Sequence, residues 1–198
     1  MLSRATAATP WGIDARPVQI EVDVQNGLPQ MQIVGLPDTS VRESRERVRA
    51  AIKNCGFPLP PRSIVINLAP ADIRKAGNHL DLGIAVTLLT AFEQLPQNSL
   101  EGRLFCGELG LDGGIRPIRG GIAIADLGRR LGVRELLLPL ANAGEAAALG
   151  SVPVVGVRSL AEAIEHLHGT RVIRPRPVGS FIADTPSCQP DLSEVLGQ

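Results

Sequence analysis

Residues 80–92, "LDLGIAVTLLTAF", limit what this chain can become more than any other stretch. Read at 3.6 residues per turn, the run is apolar on nearly every side, which predicts a helix buried all round. It is too short to cross a bilayer, which takes ~20 residues. Other elements of the same chain must therefore cover it. A chain of 198 residues, 44% hydrophobic and 20% charged, is long enough to do so as one domain, or one domain with a tail.

Those elements are legible in outline. "RPVQIEVDVQNG" alternates through Val18, Ile20, Val22 and Val24 as a half-buried strand, Asn26-Gly27 supplies turn chemistry, and "QMQIVGL" resumes, so the pair predicts a hairpin. "PDTSVRESRERVRAAIKNCG" predicts a helix capped by Asp38, Thr39 or Ser40 and ended by Gly56, with Val41, Ser44, Val48, Ala51 or Ile52, and Cys55 on one seam. "RSIVINLAP" reads as a short strand, and "RLFCGELGLDGGIRPIRGG" as two strands joined at Asp112-Gly113-Gly114. Then come a helix ("GIAIADLGRRLG"), a strand ("ELLLPL"), an Ala-rich helix ("NAGEAAALG"), a strand ("VPVVGV") and a helix opened by Ser159 ("SLAEAIEHLHG"). Strands alternating with helices after an early hairpin predict an α/β fold, or α+β sandwich, over residues 1–169. Residues 170–198 carry four prolines and no usable period, and read as a linker or tail.

Net charge is zero, but its distribution is uneven. Between Arg42 and Lys75 stand eight Lys or Arg against three acids, Glu43, Glu46 and Asp72. Arg42, Arg45, Arg49 and Lys53 line one helix face; Arg42–Glu46 and Glu43–Arg47 have i,i+4 spacing, whereas Arg45, Arg49 and Lys53 lack such a partner. With Arg74 and Lys75, this stripe is the candidate surface for a polyanion such as DNA, set against an ordinary solvated face. Single-stranded nucleic acid is often held by base stacking on aromatic platforms, and four Phe, one Trp and no Tyr leave little material for one. Cys55, Cys106 and Cys188 are far apart and form no CxxC or Cys/His cluster, so neither a disulfide framework nor a metal site is expected. "MLSRATAATPWGID" lacks a signal-peptide core, and a cytoplasmic location without membrane attachment is expected.

Asp72, Lys75, His79 and Asp81 crowd around Gly77 between a strand and the buried helix. A hydrolase using His79 with Asp72 or Asp81 is one reading. The stronger one is structural: Asn78 as N-cap, Asp81 reaching back as in a capping box, Gly77 turning the chain, with Arg74 and Lys75 left free. The glycines of "GELGLDGGIRPIRGG" match neither GxxxxGK[ST] nor GxGxxG, and they read as a hairpin and a helix entry.

Taken together, "IEVDVQNGLPQMQIVGLPDTSVRESRERVRAAIKNCGF", "INLAPADIRKAGNHLDLGIAV" and "GELGLDGGIRPI" closely resemble the N-terminal part of the ComM/YifB family, magnesium chelatase-related (subunit ChlI-like) AAA+ ATPases. The resemblance covers roughly residues 4 to 168, and "PDLSEVLGQ" resembles the segment before the family's ATPase module. It implies a hexameric DNA helicase of branch migration in natural transformation, whose Walker motifs, ATP and Mg belong to a module beyond Gln198. It also implies a mixed sheet with packed helices, similar to the proteolytic domain of Lon, the ribosomal protein domain 2-like fold and the C-terminal domain of RadA. Lon's serine position is occupied here by His79, and where Lon has its lysine, Gly120-Gly121 leads to Ile122 and Ala123. No catalytic residue is therefore expected. The implied partners are the ATPase module, further copies of the chain, and DNA; the alternative is a purely structural ring-building module whose basic helix pairs with acids such as Glu108 or Asp112.

Overall fold

A computed structural model describes residues 2–179. It holds a seven-stranded mixed sheet in the order β3-β4-β2-β1-β5-β8-β9 and a small β6-β7 hairpin. The first three strands are β1 (Leu2–Trp11), β2 (Asp14–Gln25) and β3 (Gln30–Val34). Helix α1 (Thr39–Asn54), β4 (Ser63–Ala69) and the buried helix α2 (Asp81–Ala91) follow. Next come β5 (Arg103–Phe105), β6 (Glu108–Leu109), β7 (Ile115–Arg116) and α3 (Gly121–Leu131). The series β8 (Glu135–Pro139), α4 (Leu140–Ala147), β9 (Val154–Val157) and α5 (Leu160–His168) completes the fold.

Every residue of α2 is buried, as its composition demands. It lies in the larger apolar layer with Val41, Val48 and Ile52 of α1, Leu160 and Ile164 of α5, and Val18, Ile20, Ile66 and Leu68 of the sheet. Alternate residues of the strands face the other way: Leu136 and Leu138 join Ile124, Leu127, Ala143 and Ala146 in a second layer, while Leu137 belongs to the first. Helix α1 begins where the sequence places it, with Asp38 Oδ1 accepting from Val41 N at 2.8 Å. Ser159 Oγ caps α5 through Glu162 N.

The expected β2–β3 hairpin does not form. β2 pairs antiparallel with β4, and β4 pairs parallel with β3, so β3, α1 and β4 make a βαβ unit with β4 inserted between the other two strands. The reason is burial: β4 sends Ile64, Ile66 and Leu68 into the core, whereas no β3 residue is fully buried, so exchanging them would expose the more apolar strand. Gly35 ends β3 at φ +96, where a Cβ would sit 2.1 Å from Leu68 O, so no other residue fits that turn. The hairpin partner of β2 is instead β1, for which the sequence offers no alternating pattern because both faces are built from Ala and Thr. The Asp112 turn joins β6 to β7 as expected, Asp112 Oδ1 accepting from Gly114 N. Residues 170–179 follow α5 without regular structure, and Arg176 N donates to Val154 O on the edge of β9; residues 180–198 of the expected tail lie outside the described residues.

Candidate functional site

The loop between β4 and α2 is a polar knot rather than a cleft. Ala69-Pro70 is a cis peptide at its start. The loop is stitched to the entry of α1: Lys75 N donates to Leu36 O at 3.2 Å, Asp38 N to Lys75 O at 2.9 Å, and Gly77 N to Asp38 Oδ2 at 3.3 Å. Asp38 thus caps α1 with one oxygen and holds the loop with the other.

Two expectations for this loop are corrected. Asn78 does not cap α2: Leu80 occupies the N-cap position without a side-chain bond. Asn78 Oδ1 instead accepts from Arg47 Nη2 at 2.9 Å. Asp81 is no capping-box residue either. Its carboxylate is fully buried, takes Arg47 Nε at 2.9 Å and Leu109 N at 3.2 Å, and accepts from Ser44 Oγ. Arg47 also reaches Ser40 O and Ser44 Oγ. A guanidinium with five donors in a fixed fork outcompetes the backbone of one helix end for these oxygens. Burial pushes the Asp81 carboxyl up, and the Arg47 and Ser44 bonds work against it.

Lys75 is a further correction. It is fully buried, with Nζ donating to Pro70 O, and so presents no charge to a partner. Burial lowers its pKa, with Asp72 opposing. His79 is also buried; its Nε2 has no partner among the described residues, and burial pulls its pKa down to about 4 against the weaker pull of Asp38. Asp81 spends its bonds on α1 and Leu109, and Asp72 is exposed, so neither makes the expected dyad with buried His79. Among the described residues no group of three or more His, Cys, Asp or Glu could hold a metal ion. Cys106 is buried, its thiol pushed up to about 12 by burial, and Cys188 lies outside the described residues.

The exposed chemistry lies one helix face away. Arg42, Arg45 and Arg49 line an open groove of about 720 Å³ against Gln30–Ile33 of β3. Arg45 pairs with Glu46 at 2.9 Å and donates to Met31 O at 3.4 Å, so Glu46 serves Arg45 rather than the i,i+4 partner Arg42. Glu43 approaches Arg47 at 3.9 Å as its spacing predicts. Arg49 and Arg62 continue the basic lining into an adjoining recess of about 230 Å³ with Leu59, Pro60 and Pro61. Lys53 is exposed on α1, and Arg74 is exposed in the loop whose Lys75 pairs with Pro37, just before α1. Arg62, absent from the expected stripe, was visible only as one of the eight cations between 42 and 75; chain folding at Pro60-Pro61 brings it in.

Fold and site together define a mixed α/β domain whose buried polar cluster ties elements together and whose exposed feature is a basic groove. Residues 20–142 match the family described as subunit ChlI of Mg-chelatase, and the chain belongs to that family. It is 41% identical to YifB of Salmonella typhimurium over 187 residues, covering 94% of this chain and 36% of that protein. It is 38% identical over all 198 residues to an uncharacterised protein of Mycobacterium tuberculosis, 39% of whose length it covers. The competence protein ComM of Haemophilus influenzae is 34% identical over 194 residues, covering 94% of this chain and 37% of that protein. These matches place it in the ComM/YifB branch, and the chain spans under two fifths of the length of these relatives. No helix among the described residues is long and apolar enough to cross a membrane.

Proposed function

We propose that this chain is the non-proteolytic, Lon-like N-terminal module of a ComM-like AAA+ ATPase acting on DNA, and that it contacts DNA through Arg42, Arg45, Arg49 and Arg62, with Lys53 and Arg74 flanking. ATP and Mg are assigned to a separate ATPase module, and hexameric branch migration to the assembled protein. The observation that carries the DNA contact is the groove itself: three arginines from one helix and a fourth beside them, with Glu46 as the lining acid. The absence of peptidase chemistry rests on His79 at Lon's serine position and on Lys75 being spent inside the fold.

Reversing Arg42, Arg45 and Arg49 to Glu together is expected to weaken binding of a short duplex more than tenfold at low salt. It should also lower the slope of log affinity against log salt by about 2 to 3, the value for three lost phosphate contacts. Fluorescence anisotropy across a salt series reads both, and unchanged affinity removes this surface from the DNA reading. Lys75→Ala is the contrasting variant, expected to cost stability with no change in the salt slope.

One observation favours a second reading, a ring-building module without DNA contact. β3 is an edge strand. Gln30 N donates towards β4, so by alternation Met31 and Ile33 turn their N–H and C=O groups outward, beside the arginines. A strand from a neighbouring copy would pair there, with acids such as Glu108 or Asp112 meeting the basic helix. Sedimentation of the chain with and without duplex separates the readings, since self-association that DNA leaves unchanged belongs to the second.

A further inference from the structure

The groove leaves unexplained Ile13, the most exposed large apolar residue among the described residues, and the half-exposed Trp11 beside it. β1 and β2 turn over in two residues, Gly12 and Ile13, with Trp11 paired to Asp14 below them. Gly12 takes φ +61, as such a turn requires, but Ile13 at the apex is 96% exposed. Asn, Asp or Gly are the residues that two-residue turns select, and a bare Ile gives the fold nothing. Trp11 beside it is 50% exposed and is the single Trp of the chain. The Arg16 guanidinium lies over the ring, 4.8 Å from its centroid.

The cations near this apex divide between its two faces: Arg16 shares the face of Trp11, and the others approach from the α3 side, where Ala15 is buried. Arg130 reaches up to Ala15 O at 3.3 Å, and exposed Arg119 precedes Gly120, which packs beside Pro10. The neighbouring acids are Asp14, exposed in the hairpin, Asp126, already shared between Arg129 and Arg130, and Glu145, which lies against Gly121 beside Arg119 and accepts from Asn142. An indole with a guanidinium against it and a bare aliphatic wedge beside it is a combination that holds an unpaired base: the ring stacks, the aliphatic side chain fills the step, and Arg16 meets a phosphate.

We infer that the β1–β2 hairpin apex is a contact for single-stranded DNA, in which one unpaired base stacks on Trp11 beside Ile13 while Arg16, on the same face, meets the backbone. This rests on the DNA reading above and deepens it, adding a site that senses strand opening to a groove that binds either form. An intact duplex keeps its bases stacked on one another and offers the apex only phosphates.

Because Trp11 is the single Trp, its emission reports on this site alone. Titrating the chain with a twenty-nucleotide thymidine oligomer at low salt is expected to quench that emission, and a duplex of equal length to leave it nearly unchanged. By anisotropy, Trp11→Ala is expected to weaken the single strand roughly 5- to 100-fold and the duplex by less than twofold. Trp11→Phe should retain part of the affinity, whereas the triple Glu reversal in the groove should weaken both ligands alike. Ile13→Ser, at a fully exposed position, tests the wedge without threatening the fold and should weaken the single strand alone. If the single strand binds with no change in Trp11 emission and no loss in Trp11→Ala, the apex assignment is wrong and the groove stands. If neither DNA form binds, the DNA reading fails and takes the apex assignment with it.

Discussion

Asp81→Ala is expected to destabilise the folded chain by about 3–5 kcal/mol, a large share of the roughly 5–15 kcal/mol that holds a typical domain folded. The carboxylate is fully buried and joins three separate pieces of chain: Ser44 and Arg47 on α1, the start of α2, and the Leu109 amide on β6. Truncation leaves Arg47, whose side chain is only 17% exposed, with the more distant Glu43 at 3.9 Å as its ion-pair partner, and orphans the Leu109 N–H. Asp81→Asn keeps the shape and should cost less, about 1–3 kcal/mol, because an amide oxygen in the Oδ2 position still accepts from Leu109 N while the NH2 in the other position can donate to Ser44 Oγ. Pairing Asp81→Leu with Arg47→Met should recover a large part of the loss, since it is the poorly paired charge rather than the missing bridge that is expensive. Urea unfolding with m held common measures all three. A loss below 1 kcal/mol for Asp81→Ala would mean that the cluster does not hold α1, α2 and β6 together.

His79 sets the second large effect, which depends on pH. In the unfolded chain the imidazole titrates near 6.5, and in the folded one at about 4, because burial without a partner for Nε2 disfavours the cation. The unfolded state therefore binds the proton first. Stability from the neutral ring is fully present above pH 6.5 and is lost as pH falls towards 4, by about 3 kcal/mol in all. Asp81 acts in the opposite sense: its raised carboxyl contributes stability at low pH that is lost as pH rises through its folded pKa. The two overlap in the wild-type curve, so the informative quantity is the difference between wild type and His79→Leu, measured by denaturant melts from pH 7.5 to 4. That difference should shift by about 3 kcal/mol in favour of the variant on acidification. A flat difference would mean that His79 titrates normally and is solvated.

Much of the scaffold is written locally. Asp38 and Ser159 cap the helices they precede, the seam Val41, Ser44, Val48, Ala51 and Ile52 is buried on α1, and the leucines of β8 divide between the two layers by simple alternation. These features depend on neighbours within a few residues, which a linear reading contains. β1 escaped because Ala and Thr carry too little contrast between its faces, although it lies at the centre of the sheet. The β2–β3 hairpin was misassigned because a good turn says nothing about a better strand arriving 30 residues later. Asp81 and Lys75 were misjudged for a related reason. The spacing Asn78 to Asp81 suits a cap, and only the approach of Arg47 from α1 shows that both side chains have a stronger partner.

From its residues alone, then, the chain is committed to a buried α2, to the ends of its capped helices and to the family it shares with ComM and YifB. Which cations face solvent, which strand takes the place beside β2, and whether Asp81 caps a helix or neutralises an arginine were settled in three dimensions. Caps and periodicity are contests within one turn of chain. Burial of a charge is decided by whatever packs against it from far along the sequence.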